Sequence, residues 1–374
     1  MMTASTSGEV QPTRHITPFV HLSVPFRIPT LLIFNPLRLL PYYPNQETSP
    51  LIHLIRKKIT KMEASKEPII ITEKQKMRNW SRQMRSQGKT IALVPTMGYL
   101  HQGHLSLVQQ AHTHADLTVV SIYVNPGQFS PSEDLSTYPS DFHGDILKLM
   151  SVRGGVDVVF HPHNLYDYGD DDGGEKMRNL EGEKVVNCVE EKGLGHESWV
   201  RVERLEKGLC GESRPVFFRG VATVVTKLFN IVEPDFALFG KKDYQQWRIV
   251  QRMVRDLDFS IQIIGSEIMR DSDGLALSSR NVHLSTEERT KALSISKSLL
   301  KAKLHAEEGR TNCRELRDMV VQTINEAGGK IDYAEIVEQQ SLEAVEEIKI
   351  PVVFCVAAWF GKVRLIDNIE INMK

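Results

Sequence analysis

Short apolar runs alternate through the middle of the chain with longer stretches whose apolar residues recur at helical spacing. The runs predict strands at residues 91–94, 117–124, 156–160, 236–239 and 261–264. Helices are expected at 104–115, 141–152, 221–232 and 243–257. An earlier helix is expected over 73–86, where Met77, Trp80 and Met84 mark one face and Gly88 follows as a C-cap. Alternation of this kind specifies an α/β fold with a parallel, doubly wound sheet. After Gly265 the rhythm changes. Helices at 286–308 and 312–326 precede strands at 331–337, 352–356 and 363–365, which read as a smaller α+β domain.

The expected division is an extension at 1–66, an α/β domain at 67–268 and a small α+β lid at 269–374. Residues 163–198 interrupt the alternation and read as a solvated loop. Their acidic tract (Asp167, Asp170, Asp171, Asp172, Gly173, Gly174, Glu175) lacks metal-ligand spacing, so hydration is the expected state.

Composition narrows the class. At 374 residues the chain is long enough for about two domains. A net charge of −1 gives no general attraction for nucleic acid. Cys188, Cys210, Cys313 and Cys355 are scattered, as reduced cytoplasmic thiols are. No apolar run is long enough to span a bilayer; residues 31–40 are broken by Asn35, Pro36 and Arg38. Residues 1–66 are rich in Pro, Thr, Ser and Arg, with acids only at Glu9 and Glu47 before Glu63. Two readings stay open: an organellar import segment, or an upstream extension preceding Met62. Either way this region is expected to be disordered.

Candidate chemistry gathers where predicted strands end. Residues 95–104 read PTMGYLHQGH and link the first strand of the alternating series to a helix. A helix N-terminus offers free N–H groups and the positive end of its dipole, which suits phosphate. Gly103 leaves the backbone open, and His101 and His104 can donate to phosphate oxygens. Alone, the motif reads equally as a helix start with two surface histidines. Three more polar clusters decide between the readings: NPGQF at 125–129, GKKDYQQ at 240–246 and LSSRN at 277–281. In an open α/β sheet, ligands bind beyond the carboxyl ends of the strands. A GxGxxG fingerprint after the 91–94 strand is absent, which argues against a dinucleotide oxidoreductase.

Taken together, PTMGYLHQGH, VNPGQF, SRPVFFRG, GKKDYQQ, LALSSRN and the closing AAWFGKVRLIDN resemble the pantothenate synthetase (pantoate–β-alanine ligase) family, its plant members in particular. The likeness spans residues 74–368. It implies a Rossmann-like fold of the HxGH nucleotidyltransferase superfamily and a homodimer. It also implies ATP-dependent joining of (R)-pantoate to β-alanine through a pantoyl adenylate, with Mg²⁺ carried by ATP and possible help from Asp243. The resemblance assigns catalysis to His101, His104 (as proton donor) and Lys242. ATP would be held by Met97, Gly98, His101, Gly103, His104, Gly240, Lys241, Lys242, Asp243, Met269, Leu277, Ser278, Ser279 and Arg280. Pantoate and β-alanine would meet Pro95, Thr96, Met97, Asn125, Gln128 and Gln246, with Arg214 serving either there or in a structural salt bridge. Amide donors suit pantoate because they orient a carboxylate without pairing it too strongly to react. One position departs from the family pattern: Phe217 stands where many members carry histidine. The competing readings are another HxGH nucleotidyltransferase, a class I aminoacyl-tRNA synthetase and a non-catalytic nucleotide-binding module. The first would not require paired glutamines. The second would need a basic anticodon-binding region, and the third the loss of a chemical group.

Overall fold

The computed structural model describes residues 67–166, 186–193 and 195–372. The extension 1–66 and the acidic tract from Asp167 to Glu175 lie outside the described residues. The larger sheet has six parallel strands: β1 (Ile69–Ile71), β2 (Ile91–Thr96), β3 (Leu117–Ile122), β4 (Val158–Phe160), β5 (Phe236–Gly240) and β6 (Gln262–Ser266). Their order is β1-β4-β3-β2-β5-β6. From β2 the chain first builds outward through β3 and β4, then returns to place β5 and β6 on the other side. The switch point therefore lies where β3, β2 and β5 end, and a ligand crevice is expected there.

Helices cover both faces. They are α1 (Lys74–Ser86), α2 (Gln102–Ala111), α3 (Phe142–Ser151), the short α4 (Cys188–Glu191) and α5 (Leu209–Ser213), α6 (Phe217–Val232) and α7 (Tyr244–Asp256). Alternate β2 residues enter different cores. Ile91 and Leu93 pack with α1, α6 and α7, while Ala92 and Val94 pack with α2 and α3. A strand buried on both faces has no polar side, which is why β2 reads as an unbroken apolar run.

The second sheet is antiparallel, β7 (Lys330–Glu338), β8 (Val352–Phe360) and β9 (Val363–Ile371) in that order. Two helices, α8 (Thr286–Glu307) and α9 (Cys313–Glu326), cover one of its faces. From the other face, Val337, Val353 and Cys355 join the core of α6 and α7. Both sheets lie within the compact unit spanning residues 60–374.

Two expectations need correction. The edge strand β1 was not foreseen, because three residues are too few to show a period. Nor are residues 163–198 solvated throughout. Leu165, Tyr166 and Val189 are at most 1 % exposed, so both described flanks of the insertion belong to the core. Their apolar side chains outweigh the polar composition between them.

Candidate functional site

A solvent-open cleft lies over the ends of β2, β3 and β5. The segment from Glu267 to Arg280 and residues of β9 close its far side.

The turn after β2 is held from a distance. Asp145 on α3 accepts from the backbone N–H of Tyr99 (2.7 Å) and Leu100 (2.6 Å). Burial raises its carboxyl pKa, and those two N–H donors oppose the rise. The turn delivers His101 and His104 to the start of α2 with ring centroids 4.0 Å apart. The expected bare helix start is not what forms. The Gly103 N–H donates to His101 Nδ1 (3.1 Å), and the His101 N–H donates to His104 Nδ1 (3.3 Å). The histidine rings themselves cap the helix, so these two N–H groups are not free for phosphate. Gly103 lines the cleft, and a Cβ there would sit 2.8 Å from the His101 ring.

This capping fixes the chemistry of the rings. An accepting Nδ1 leaves the proton of the neutral imidazole on Nε2. Burial lowers the His101 pKa to about 4, with Lys242 adding to the effect. Burial also carries His104 well below the ordinary value, helped by His101 and Lys242. The positive end of α2 disfavours a cation there as well. Both rings are therefore neutral Nε2–H donors near pH 7 and not imidazolium acids.

A second set of bonds orients the amides. The Gly127 N–H donates to Asn125 Oδ1 (3.2 Å), as does the Tyr166 hydroxyl (2.7 Å). Asn125 Nδ2 then donates to the Gly220 carbonyl (3.1 Å) and to Gln128 Oε1 (3.0 Å). Gln128 is left with its Nε2 hydrogens toward Met97 Sδ at 3.3 Å. Thioether sulfur is a weak acceptor, so a strong donor is held at the cleft with little to bond. Across the cleft, Gln246 in the first turn of α7 makes no side-chain hydrogen bond among the described residues. Its neighbour Gln245 is buried and bonds the carbonyls of Leu205, Lys207 and Gly208.

The remaining expected residues divide. Pro95, Thr96, Gly240, Lys242, Asp243, Met269, Leu277, Ser278, Ser279, Arg280 and Arg214 line the cleft. Lys242 has only a loose contact to Asp243, at 3.5 Å. Ser279 reaches the Tyr99 carbonyl at 3.3 Å and so joins the far loop to the turn after β2. Arg280 lies beside Asp134 (3.2 Å), and Arg214 pairs with Glu133 while its guanidinium stacks 3.9 Å over the Phe217 ring. Phe217 thus gives an aromatic face to Arg214 in place of a ring nitrogen. Two residues expected at the ATP site are not brought into the cleft. Gly98 lies behind the turn, against Ile122 and Asp145. Lys241 is held by Glu267 (2.6 Å) and Glu370 (2.9 Å), because it points toward β9.

Sequence reasoning missed Asp145, Tyr166, Cys210 and Arg364, all of which hold or line the site. None carries a local signal, since each reaches the cleft through contacts distant in the chain. Among the described residues no group of three His, Cys, Asp or Glu could hold a metal ion, and no helix is long and apolar enough to cross a membrane.

Known proteins match this chain over most of its length. A family model described as Pantoate-beta-alanine ligase matches residues 69–370. A pantoate–β-alanine ligase from Lotus japonicus is 72% identical over 307 residues, covering 82% of this chain and 99% of the relative. The crystal structure of a Thermus thermophilus pantothenate synthetase superimposes with a TM-score of 0.68 at 35% identity, covering 82% of this chain and all of that one. A Francisella tularensis pantoate–β-alanine ligase, solved with βγ-ATP and β-alanine, gives 0.59 at 31% identity over 81% of this chain and 97% of its own.

Proposed function

This chain belongs to the pantoate–β-alanine ligase family, enzymes that use ATP to join pantoate to β-alanine, and from that premise we propose how its cleft divides the work. Pantoate lies between Gln128 and Gln246, and ATP lies over the His101–His104 turn, Lys242 and the Ser278–Ser279–Arg280 loop. A pantoate carboxylate oxygen attacks the α-phosphorus. The bond to the bridging oxygen breaks and pyrophosphate leaves. Negative charge builds on the phosphoryl and bridging oxygens. The two neutral Nε2–H donors, Lys242 and the loop hydroxyls stand ready to meet it without reorganising. The β-alanine amine then attacks the acyl carbon of the pantoyl adenylate. AMP departs, the amine loses a proton and the amide of pantothenate is formed.

Mg²⁺ would arrive on the ATP phosphates, where it neutralises their charge. The described residues provide no protein cage for it, and Asp243 beside Lys242 is the carboxylate placed to reach it directly or through water. We further read residues 269–374 as the lid, the working form as a homodimer and the compartment as the cytosol. The free, buried thiols fit a reducing compartment. A fluorescent fusion of residues 1–66 that entered an organelle would overturn the cytosolic reading.

The observation that carries the assignment of roles is the Asn125–Gln128 relay, which aims an amide donor into the cleft. Gln128→Glu keeps the size and replaces that donor with a carboxylate. At roughly 4 Å two like charges repel by about 4 kcal/mol at an effective dielectric near 20. That corresponds to about a thousandfold loss of kcat/KM for pantoate. ATP affinity, measured by calorimetry, should change little. Equal losses for both substrates would remove Gln128 from the pantoate site.

A further inference from the structure

β-Alanine carries a carboxylate two methylenes from its attacking amine, and the roles above leave that carboxylate without a partner. Four cationic side chains line the cleft: Lys242, Arg214, Arg280 and Arg364. Lys242 and Arg280 stand with the phosphate-binding groups. Arg214 is spent on Glu133, the Phe217 ring and the Gln128 carbonyl (3.4 Å).

Arg364, on β9, is arranged differently. Asp332 on β7 takes its Nε (3.0 Å) and one side of Nη2 (2.6 Å). Asp332 is itself fixed by the Ser213 hydroxyl at 2.9 Å. The rest of the guanidinium faces a sulfur: Nη1 and Nη2 lie 3.7 and 3.6 Å from Cys210 Sγ. Sulfur accepts hydrogen bonds poorly, so these donors are fixed in place yet poorly used. A planar two-pronged donor held this way matches a carboxylate. It also lies where it is needed. Cys210 and Arg364 line the same cleft as Gln246, Phe217 and Ile366.

Building on the pantoate and ATP roles given above, we propose that Arg364 receives the carboxylate of β-alanine and so selects the second substrate. It is a specificity residue contributed by the small sheet, and Asp332 is its positioning partner. A purely structural reading is that Arg364 only ties β9 to β7 and α5. The two readings differ in what they demand of the amine's far end.

The test compares β-alanine with 3-aminopropanamide, its uncharged amide, at saturating ATP and pantoate, in the full-length native chain and in Arg364→Gln. The native enzyme should prefer the acid strongly. In Arg364→Gln that preference should fall on the order of 10- to 100-fold, the scale of one charge-assisted hydrogen bond, with the loss confined to the acid. Arg364→Lys keeps the charge but not the planar fork and should fall between the two. Because the preference is a ratio read within one protein, a general loss of rate does not mask it. An unchanged preference in Arg364→Gln would overturn the proposal and leave Arg364 a structural tie. Pantoate-dependent pyrophosphate exchange is run on the same proteins. Its absence from the native chain would instead overturn the underlying assignment of pantoate and ATP.

Discussion

The two histidines show what residue identity can and cannot tell. Their place at a strand-to-helix turn and their spacing are visible in the chain. Their charge state is not, because it comes from burial and from which ring nitrogen accepts a backbone hydrogen. A folded pKa below the unfolded value of about 6.5 has a definite consequence for stability. As pH falls through 6.5 the unfolded chain binds protons that the folded rings refuse. Stability is therefore lost between about pH 6.5 and 4, by about 3 kcal/mol for His101 alone. Above pH 7 the pair adds no pH dependence. NMR should find the His101 and His104 ring signals flat between pH 5.5 and 8, with denaturant midpoints falling below pH 6. A ring titrating near 6.5 would show that burial does not hold it neutral.

Among the elements, those with a clear period were legible. β2, β3, β5, α6, α7, α8 and α9 stand within a few residues of where their apolar spacing puts them. β1 and the buried ends of the insertion were not, because three isoleucines or an isolated Leu165–Tyr166 pair acquire meaning only against β4 or Asn125. The junction of α6 with the turn at Pro126–Gln128 is another contact of this kind. A Cβ on Gly220 would lie 2.0 Å from the Gly127 carbonyl oxygen, so Gly220→Ala must push α6 away from that turn. Overpacking of this sort costs about 1–3 kcal/mol. Because Asn125 bonds the Gly220 carbonyl, the shift also turns Gln128. Urea unfolding should show the loss and steady-state kinetics a raised KM for pantoate. Native stability with native KM would mean the junction has slack that the geometry does not show.

At the scale of the whole molecule, the order of strands brings the clusters together. NPGQF follows β3, the histidines follow β2 and KKDYQQ follows β5, and these three strands are neighbours. The chain reveals each cluster but not the sheet that gathers them, and it gives no sign that β9 brings Arg364 to the same cleft. The family match begins at residue 69, and the Lotus relative is covered almost completely by 82% of this chain. Deletion of residues 1–61 should therefore leave a folded, active protein that still sediments as a dimer. Insoluble or inactive protein would make the extension part of the working fold, and a monomer would refute the dimer.

The most direct measurement is the first chemical step in isolation. Enzyme, Mg-ATP and pantoate, with no β-alanine, should carry labelled pyrophosphate into ATP only when pantoate is present. Lys242→Ala should slow that exchange by about 10²–10³, the usual cost of losing one preorganised charge-stabilising group. No exchange from protein that still makes pantothenate, or exchange indifferent to Lys242, would contradict an adenylate formed in this cleft.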